Sequence, residues 1–338
     1  MLSRVAERIY WIARYIERAE NTARLVDAYT NLILDLPKGV APGWRQLIDI
    51  IGESENFDQH YKSCDEPNIV KFLLADDFST SSILTSVTLA RENMRTTREQ
   101  LPTEAWLHCN ELFLQVKQHA RKSVPRSGRY SFLKDVIFRC QQLTGLFIGN
   151  MSHTVAYDLM RVGRTLERAD MTTRIVDSAI IILMPRQQSP GQYDNLLWAN
   201  VLKSTSGDQM YRQHACNRFS GTEVVKFLLQ DHYFPRAVAR AVTVAETSLR
   251  NLPRNSSTLR MIQKLRKHID MTDIGAMNPA DMHNFIDRLQ LELNQVHDEI
   301  YRTWFNIQHL EQHSVIPVIK NLLLLQKIAN TKMAQEMN

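Results

Sequence analysis

An eleven-residue stretch occurs twice in this chain, and that recurrence limits the fold more than any other feature. Glu17-Arg18-Ala19-Glu20-Asn21-Thr22-Ala23-Arg24-Leu25-Val26-Asp27 returns 150 residues later as Glu167-Arg168-Ala169-Asp170-Met171-Thr172-Thr173-Arg174-Ile175-Val176-Asp177, and Arg14 and Arg164 keep the same offset. Val70-Lys71-Phe72-Leu73-Leu74-Ala75-Asp76 returns as Val225-Lys226-Phe227-Leu228-Leu229-Gln230-Asp231, and Trp44 pairs with Trp198 at a similar distance. The stops recur as well. Leu36-Pro37 and Met184-Pro185 follow the first long segment of each half, and Leu101-Pro102 and Leu252-Pro253 follow a later one, as proline does beyond a helix end. Self-similarity at a fixed period reads as one structural unit used twice. The expectation is an all-α helical bundle of two tandem copies, residues 1–150 and 151–338.

Periodicity assigns helices to those copies. Leu2, Val5, Ile9, Ile12, Ile16, Ala19, Ala23 and Val26 are three and four apart, the seam of an amphipathic helix. Val155, Leu159, Val162, Leu166, Ala169, Thr173 and Val176 repeat the phase. Small residues at 19, 23 and 169 let a neighbour approach closely, so two antiparallel or crossed helices are expected to meet there. Further helices are expected at 44–53, 80–101, 104–121, 131–149, 194–204, 221–230, 235–252, 257–270, 279–311 and 314–335. Loops are expected at 122–130 and 186–193. Asp77-Phe78-Ser79-Thr80 and Asn278-Pro279 carry helix-start chemistry. With only 11 Gly and 11 Pro in 338 residues, the chain has few breakers for many short strands.

Between the copies the best-repeated residues are charged: Arg14, Glu17, Arg18, Glu20 and Arg24, then Arg164, Glu167, Arg168, Asp170 and Arg174. On a helix, residues three or four apart are neighbours, so each set forms a strip bordered by Trp11 and Leu25 in the first copy. A pseudo-twofold arrangement sets Glu17 opposite Arg168 and Glu167 opposite Arg18. Three readings stay open: a solvated or ion-paired structural face, a binding strip in which the six arginines hold carboxylates or phosphates, or acid–base catalysis by Glu17 or Glu167. The last is weakened because a carboxylate flanked by arginine is held ionised.

Other chemistry is sparse. The four cysteines, Cys64, Cys109, Cys140 and Cys216, are scattered without a C-x-x-C pair, which fits reduced cytoplasmic thiols better than zinc or a disulfide scaffold. His309 and His313 flank Glu311 with metal-like spacing but without the order of a zinc motif, so no metal is expected. No nucleotide-binding glycine motif occurs, and no cofactor is expected. The N-terminus lacks signal-peptide character, and no apolar run approaches the roughly 20 residues of a membrane span. A formal charge of +5 comes from dispersed Lys and Arg, which speaks against nucleic acid.

These segments resemble the bacterial alpha-E family, helical proteins with a Glu-Arg motif. The resemblance rests on Met1-Leu2-Ser3-Arg4-Val5-Ala6-Glu7, Tyr10-Trp11, Arg14 to Arg24, Ala90-Arg91-Glu92-Asn93 with Arg95, Arg164 to Thr172, and Phe234-Pro235-Arg236. Asp77-Phe78-Ser79-Thr80-Ser81-Ser82-Ile83 departs from the family's turn, which often has Asn-Pro before Ser-Ile. The resemblance implies association with circularly permuted ATP-grasp proteins and transglutaminase-like proteins, hence a part in forming or processing amide bonds. On that implication the chain is an accessory subunit whose Arg/Glu strip binds substrate carboxylates or the ligase. Its alternatives are an enzyme acting on peptide amides through Glu17 or Glu167, and a helical scaffold without a catalytic role.

Overall fold

The computed structural model describes residues 1–37, 42–184, 193–214 and 220–306, among which every regular element is helical. The first half holds α1 (Ser3–Asp35), α2 (Arg45–Ile51), α3 (Ser54–His60), α4 (Glu66–Ala75), α5 (Ile83–Arg95), α6 (Thr103–His119) and α7 (Arg126–Asn150). The second holds α8 (Val155–Leu183), α9 (Asp194–Ser204), α10 (Asp208–His214), α11 (Gly221–Gln230), α12 (Val238–Arg250), α13 (Ser256–Met271) and α14 (Pro279–Ile300), which runs into a π-helical turn at Tyr301–Phe305.

Two rings of helices share this order. α1 packs on α5, α5 on α6, α6 on α7 and α7 back on α1; α8, α12, α13 and α14 close a second ring in the same sequence. The rings are joined along α1 and α8, with α9 laid on α1 and α2 on α8, so each half covers the other's central helix. Residues Met1–Phe305 form one compact unit.

The seam read from the sequence is buried on both central helices, from Ile9 to Val26 and from Leu159 to Val176; Leu2, at the helix end, is 78% exposed. Of the two arrangements expected, the antiparallel one is not adopted. Contacting residues keep a nearly constant offset: Tyr10 with Gly163, Arg14 with Glu167, and Glu17 with Arg168. Further along, Leu25 and Ile175, then Tyr29 and Ala179, line one small apolar cleft. An antiparallel pair would keep a constant sum instead, so α1 and α8 run parallel. They come close at Gly163, where a Cβ would lie 2.4 Å from the Tyr10 carbonyl oxygen. Only glycine admits that backbone contact.

Boundaries shifted where local chemistry competes with periodicity. The helix expected from residue 80 begins at Ile83, because the Ser82 hydroxyl accepts from the Thr85 amide and caps it. Thr80 and Ser81 are instead held by the buried Glu53 carboxylate. The loop expected at 122–130 is shorter, since a 3-10 turn at Arg121–Ser123 leads directly into α7 at Arg126. The helices α3, α4 and α10 were not among those expected from periodicity. Asn278 caps α14 as expected, accepting from the Asp281 amide. The helix expected at 314–335, His309, Glu311, His313, Cys216 and most of the 186–193 loop lie outside the described residues.

Candidate functional site

The middle turns of α1 are packed by α5, α7, α8 and α9, so the charged strip does not face solvent. Glu17 is 1% exposed, Glu20 2% and Glu167 4%. Carboxylates so buried require charged partners, and the two rings supply them reciprocally. Glu167 on α8 accepts from Arg14 Nε at 2.6 Å, Arg18 Nε at 2.5 Å and Arg18 Nη2 at 3.1 Å. Glu17 on α1 accepts from Arg168 Nε at 2.9 Å and Nη2 at 2.7 Å, a bidentate fork. The opposition of Glu17 to Arg168 and of Glu167 to Arg18 is as the repeat suggested. Because α1 and α8 are parallel, each Glu-Arg pair meets its own counterpart at the same height.

A residue absent from the arginine strip completes this network. Arg236, in the turn before α12, donates Nη1 to Glu17 Oε1 at 2.9 Å and to Asn21 Oδ1 at 2.6 Å, and Nη2 to Glu20 Oε1 at 2.7 Å. Its backbone carbonyl accepts from Thr172 Oγ1, as the Ser81 carbonyl accepts from Thr22 Oγ1. The two turns are therefore anchored alike, yet one carries Arg and the other Ser. The sequence offered Phe234-Pro235-Arg236 as a recognisable segment, but nothing in its spacing pointed to Glu17, 219 residues away.

Tyr10 and His297 were also not legible. Tyr10 OH lies 2.9 Å from His297 Nδ1, and Arg14 Nη1 lies 3.2 Å from both that nitrogen and the Tyr10 oxygen. Two donors facing Nδ1 place its lone pair there. Burial and the Arg14 guanidinium depress the His297 pKa to about 3, so the ring stays neutral. Arg14 also stacks over Trp11, whose own ring stacks on Tyr15.

Burial alone would raise the pKa of Glu17, but Arg168 and Arg236 overcome it and hold the carboxyl at about 2. Glu167 is held at about 2 as well, where Arg18 and Arg14 overcome burial. Groups clamped in this way are ionised and weak as bases. The outer arginines reach across the join. Arg24 pairs with Glu20 and donates to Ser206 Oγ at 2.6 Å. Arg174 pairs with Asp170 and lies against Gly52. Ser206 and Gly52 both have positive φ, 57° and 73°, just beyond α9 and α2. Cations near those helix ends suit the negative end of the helix dipole.

The balance is uneven. Arg14, Arg18, Arg24, Arg164, Arg168, Arg174 and Arg236 set seven guanidiniums against the four carboxylates Glu17, Glu20, Glu167 and Asp170. Of the six arginines predicted from the sequence, five are engaged in ion pairs. Arg164 makes no ion pair or hydrogen bond among the described residues, and its Nε is buried without an acceptor. Asp170 Oδ1 is likewise buried without a donor; it stands at the place of Glu20, where Arg236 has its counterpart in Ser81.

One grouping among the described residues has metal-ligand character. Asp177, His283 and Asp287 bring ligand atoms within 4.8 Å of one another. His283 Nδ1 is 2.6 Å from Asp177 Oδ1, and that contact raises the His283 pKa, so an ion pair accounts for the cluster.

Uncharacterised proteins of Mycobacterium bovis and Mycobacterium tuberculosis are each 22% identical over 275 residues, covering 76% of this chain. The chain spans 30% of the length of these curated relatives. No solved structure matches it significantly, and no helix among the described residues is long and apolar enough to cross a membrane. The model of the Alpha-E family, described as a predicted alpha-helical domain with a conserved ER motif, matches residues 1–305, and the chain belongs to that family.

Proposed function

We propose that this protein is a non-catalytic partner subunit of an ATP-grasp-dependent amide-bond system, built from a duplicated unit of about 150 residues whose copies are bolted together by their Glu-Arg pairs. The ATP-grasp protein would activate a carboxylate as an acyl phosphate, and this protein would hold the acidic substrate or shape the complex. The observation that carries the reading is the burial of Glu17 and Glu167, each held by three guanidinium hydrogen bonds. Carboxylates in that state serve as a structural lock and leave the chain without a general base at its most repeated position. The excess of guanidinium over carboxylate in the same network favours acidic ligands. In the mycobacterial relatives the matched segment is 30% of a longer polypeptide, an arrangement that suits a unit working beside another domain.

The test is reconstitution. Co-expression with a circularly permuted ATP-grasp protein from the same genome, with and without a transglutaminase-like protein, is expected to give a stable complex. Amino-acid-dependent ATP turnover should then require the mixture. Unchanged turnover by the ATP-grasp protein alone, with no complex formed, refutes the partner role. The competing enzyme reading, with Glu17 or Glu167 as base, requires Glu17→Gln to abolish amide turnover by the isolated chain at unchanged stability.

A further inference from the structure

On α8, Arg161, Arg164 and Arg168 are spaced three and four apart and share one face. Arg168 is committed to Glu17, whose Oε1 also accepts from Arg236. Glu17 accepts these three hydrogen bonds and none from Arg164. The contrast with Arg14, which occupies the same position in the first copy, is informative. Arg14 has Glu167, the Tyr10 hydroxyl, His297 Nδ1 and the Trp11 ring as partners. Met160 stands at the place of Tyr10 in the second copy, and it offers no hydroxyl. Arg164 is left partly buried beside two like charges, with its Nε shut off from solvent and from every acceptor. Burial, then repulsion by Arg168, lowers its pKa. Glu17 attracts Arg164 without bonding to it, and a buried guanidinium whose Nε has no acceptor is costly; replacing it by a neutral residue would relieve that cost.

We propose that Arg164, with Arg161 one turn earlier, is a binding site for a small oxyanion, a carboxylate or phosphoryl group brought by a ligand, and that this anion completes the charge network left open on the second copy. Arg161 is partly exposed and makes no ion pair among the described residues, so it supplies the solvent-facing edge of the site. The guanidinium fork suits the flat, paired oxygens of either group. The inference rests on the partner reading only for which acidic ligand arrives.

The experiment uses the full chain alone, without any ligase. Inorganic phosphate and acetate are titrated separately by calorimetry and by NMR of the arginine Nε–H resonances, with chloride at matched ionic strength as control. One saturable equivalent is expected, perturbing the Arg164 resonance. Preference for phosphate assigns a phosphoryl source, and preference for acetate assigns a carboxylate source. Arg164→Gln is expected to weaken binding about tenfold or more, the worth of one charged hydrogen bond. Arg98→Gln, on the exposed side of Trp106, should leave it unchanged. Without anion, Arg164→Gln should unfold at the wild-type temperature or above. Absent or non-saturable binding, equal affinity in Arg164→Gln, or a lowered unfolding temperature for that variant overturns the site. Failure of reconstitution with intact anion binding would overturn only the partner role.

Discussion

Glu17→Gln separates a structural lock from a catalytic base. The wild-type carboxylate is 1% exposed and accepts three hydrogen bonds from the guanidiniums of Arg168 and Arg236 at 2.7–2.9 Å. A glutamine keeps one acceptor oxygen but turns its amide donors toward cations. Removing one partner of a buried pair costs about 3–5 kcal/mol. The titration gives a similar magnitude, since moving a carboxyl from its ordinary 4.5 to about 2 corresponds to about 3 kcal/mol. The sign follows from the depressed folded-state value: the contribution is present above pH 4.5 and fades as pH falls toward 2. Urea unfolding followed by circular dichroism should therefore show Glu17→Gln destabilised by about 3–5 kcal/mol at pH 7. The gap to wild type should narrow steadily below pH 4.5. A loss under about 1 kcal/mol at neutral pH, well below that range, or a gap independent of pH, would refute the lock.

Three further outcomes follow from the same geometry. Gly163→Ala should destabilise by about 1–3 kcal/mol through overlap with the Tyr10 carbonyl, although alanine normally favours a helix interior by about 1 kcal/mol; a raised melting temperature would contradict the close approach of α1 and α8. Arg236→Met removes the cation shared by Glu17 and Glu20, which keep Arg168 and Arg24, and should cost about 3–5 kcal/mol in urea unfolding, whereas a neutral effect would remove Arg236 from the network. His297 is neutral when folded, with its pKa at about 3, while the unfolded chain takes up that proton near 6.5. Its contribution is thus full above pH 6.5 and declines as pH falls toward 3. His297→Gln should abolish the loss of stability between pH 6.5 and 4.5 and retain the steeper loss below; identical profiles would place the ring in solvent.

The sequence by itself determined the helical class, the two buried seams and the pairing of Glu17 with Arg168 and Glu167 with Arg18. Those features follow from period and recurrence, since an amphipathic stripe must be buried and a charge pair that recurs in sequence meets its counterpart when the two segments pack with a pseudo-twofold relation. Only the tertiary structure decided that α1 and α8 run parallel, because a seam looks the same read in either direction. The burial of the charged strip was also decided there: a helix surrounded by four neighbours buries its polar face too, as Glu17 and Glu20 do. Arg236 and His297 reach the network from turns and helices more than 200 residues away in sequence, beyond any local spacing rule. The solitary Arg164 likewise emerged only when the competing partners of Glu17 could be counted in space, for unpaired charge is a property of an assembled network rather than of a motif.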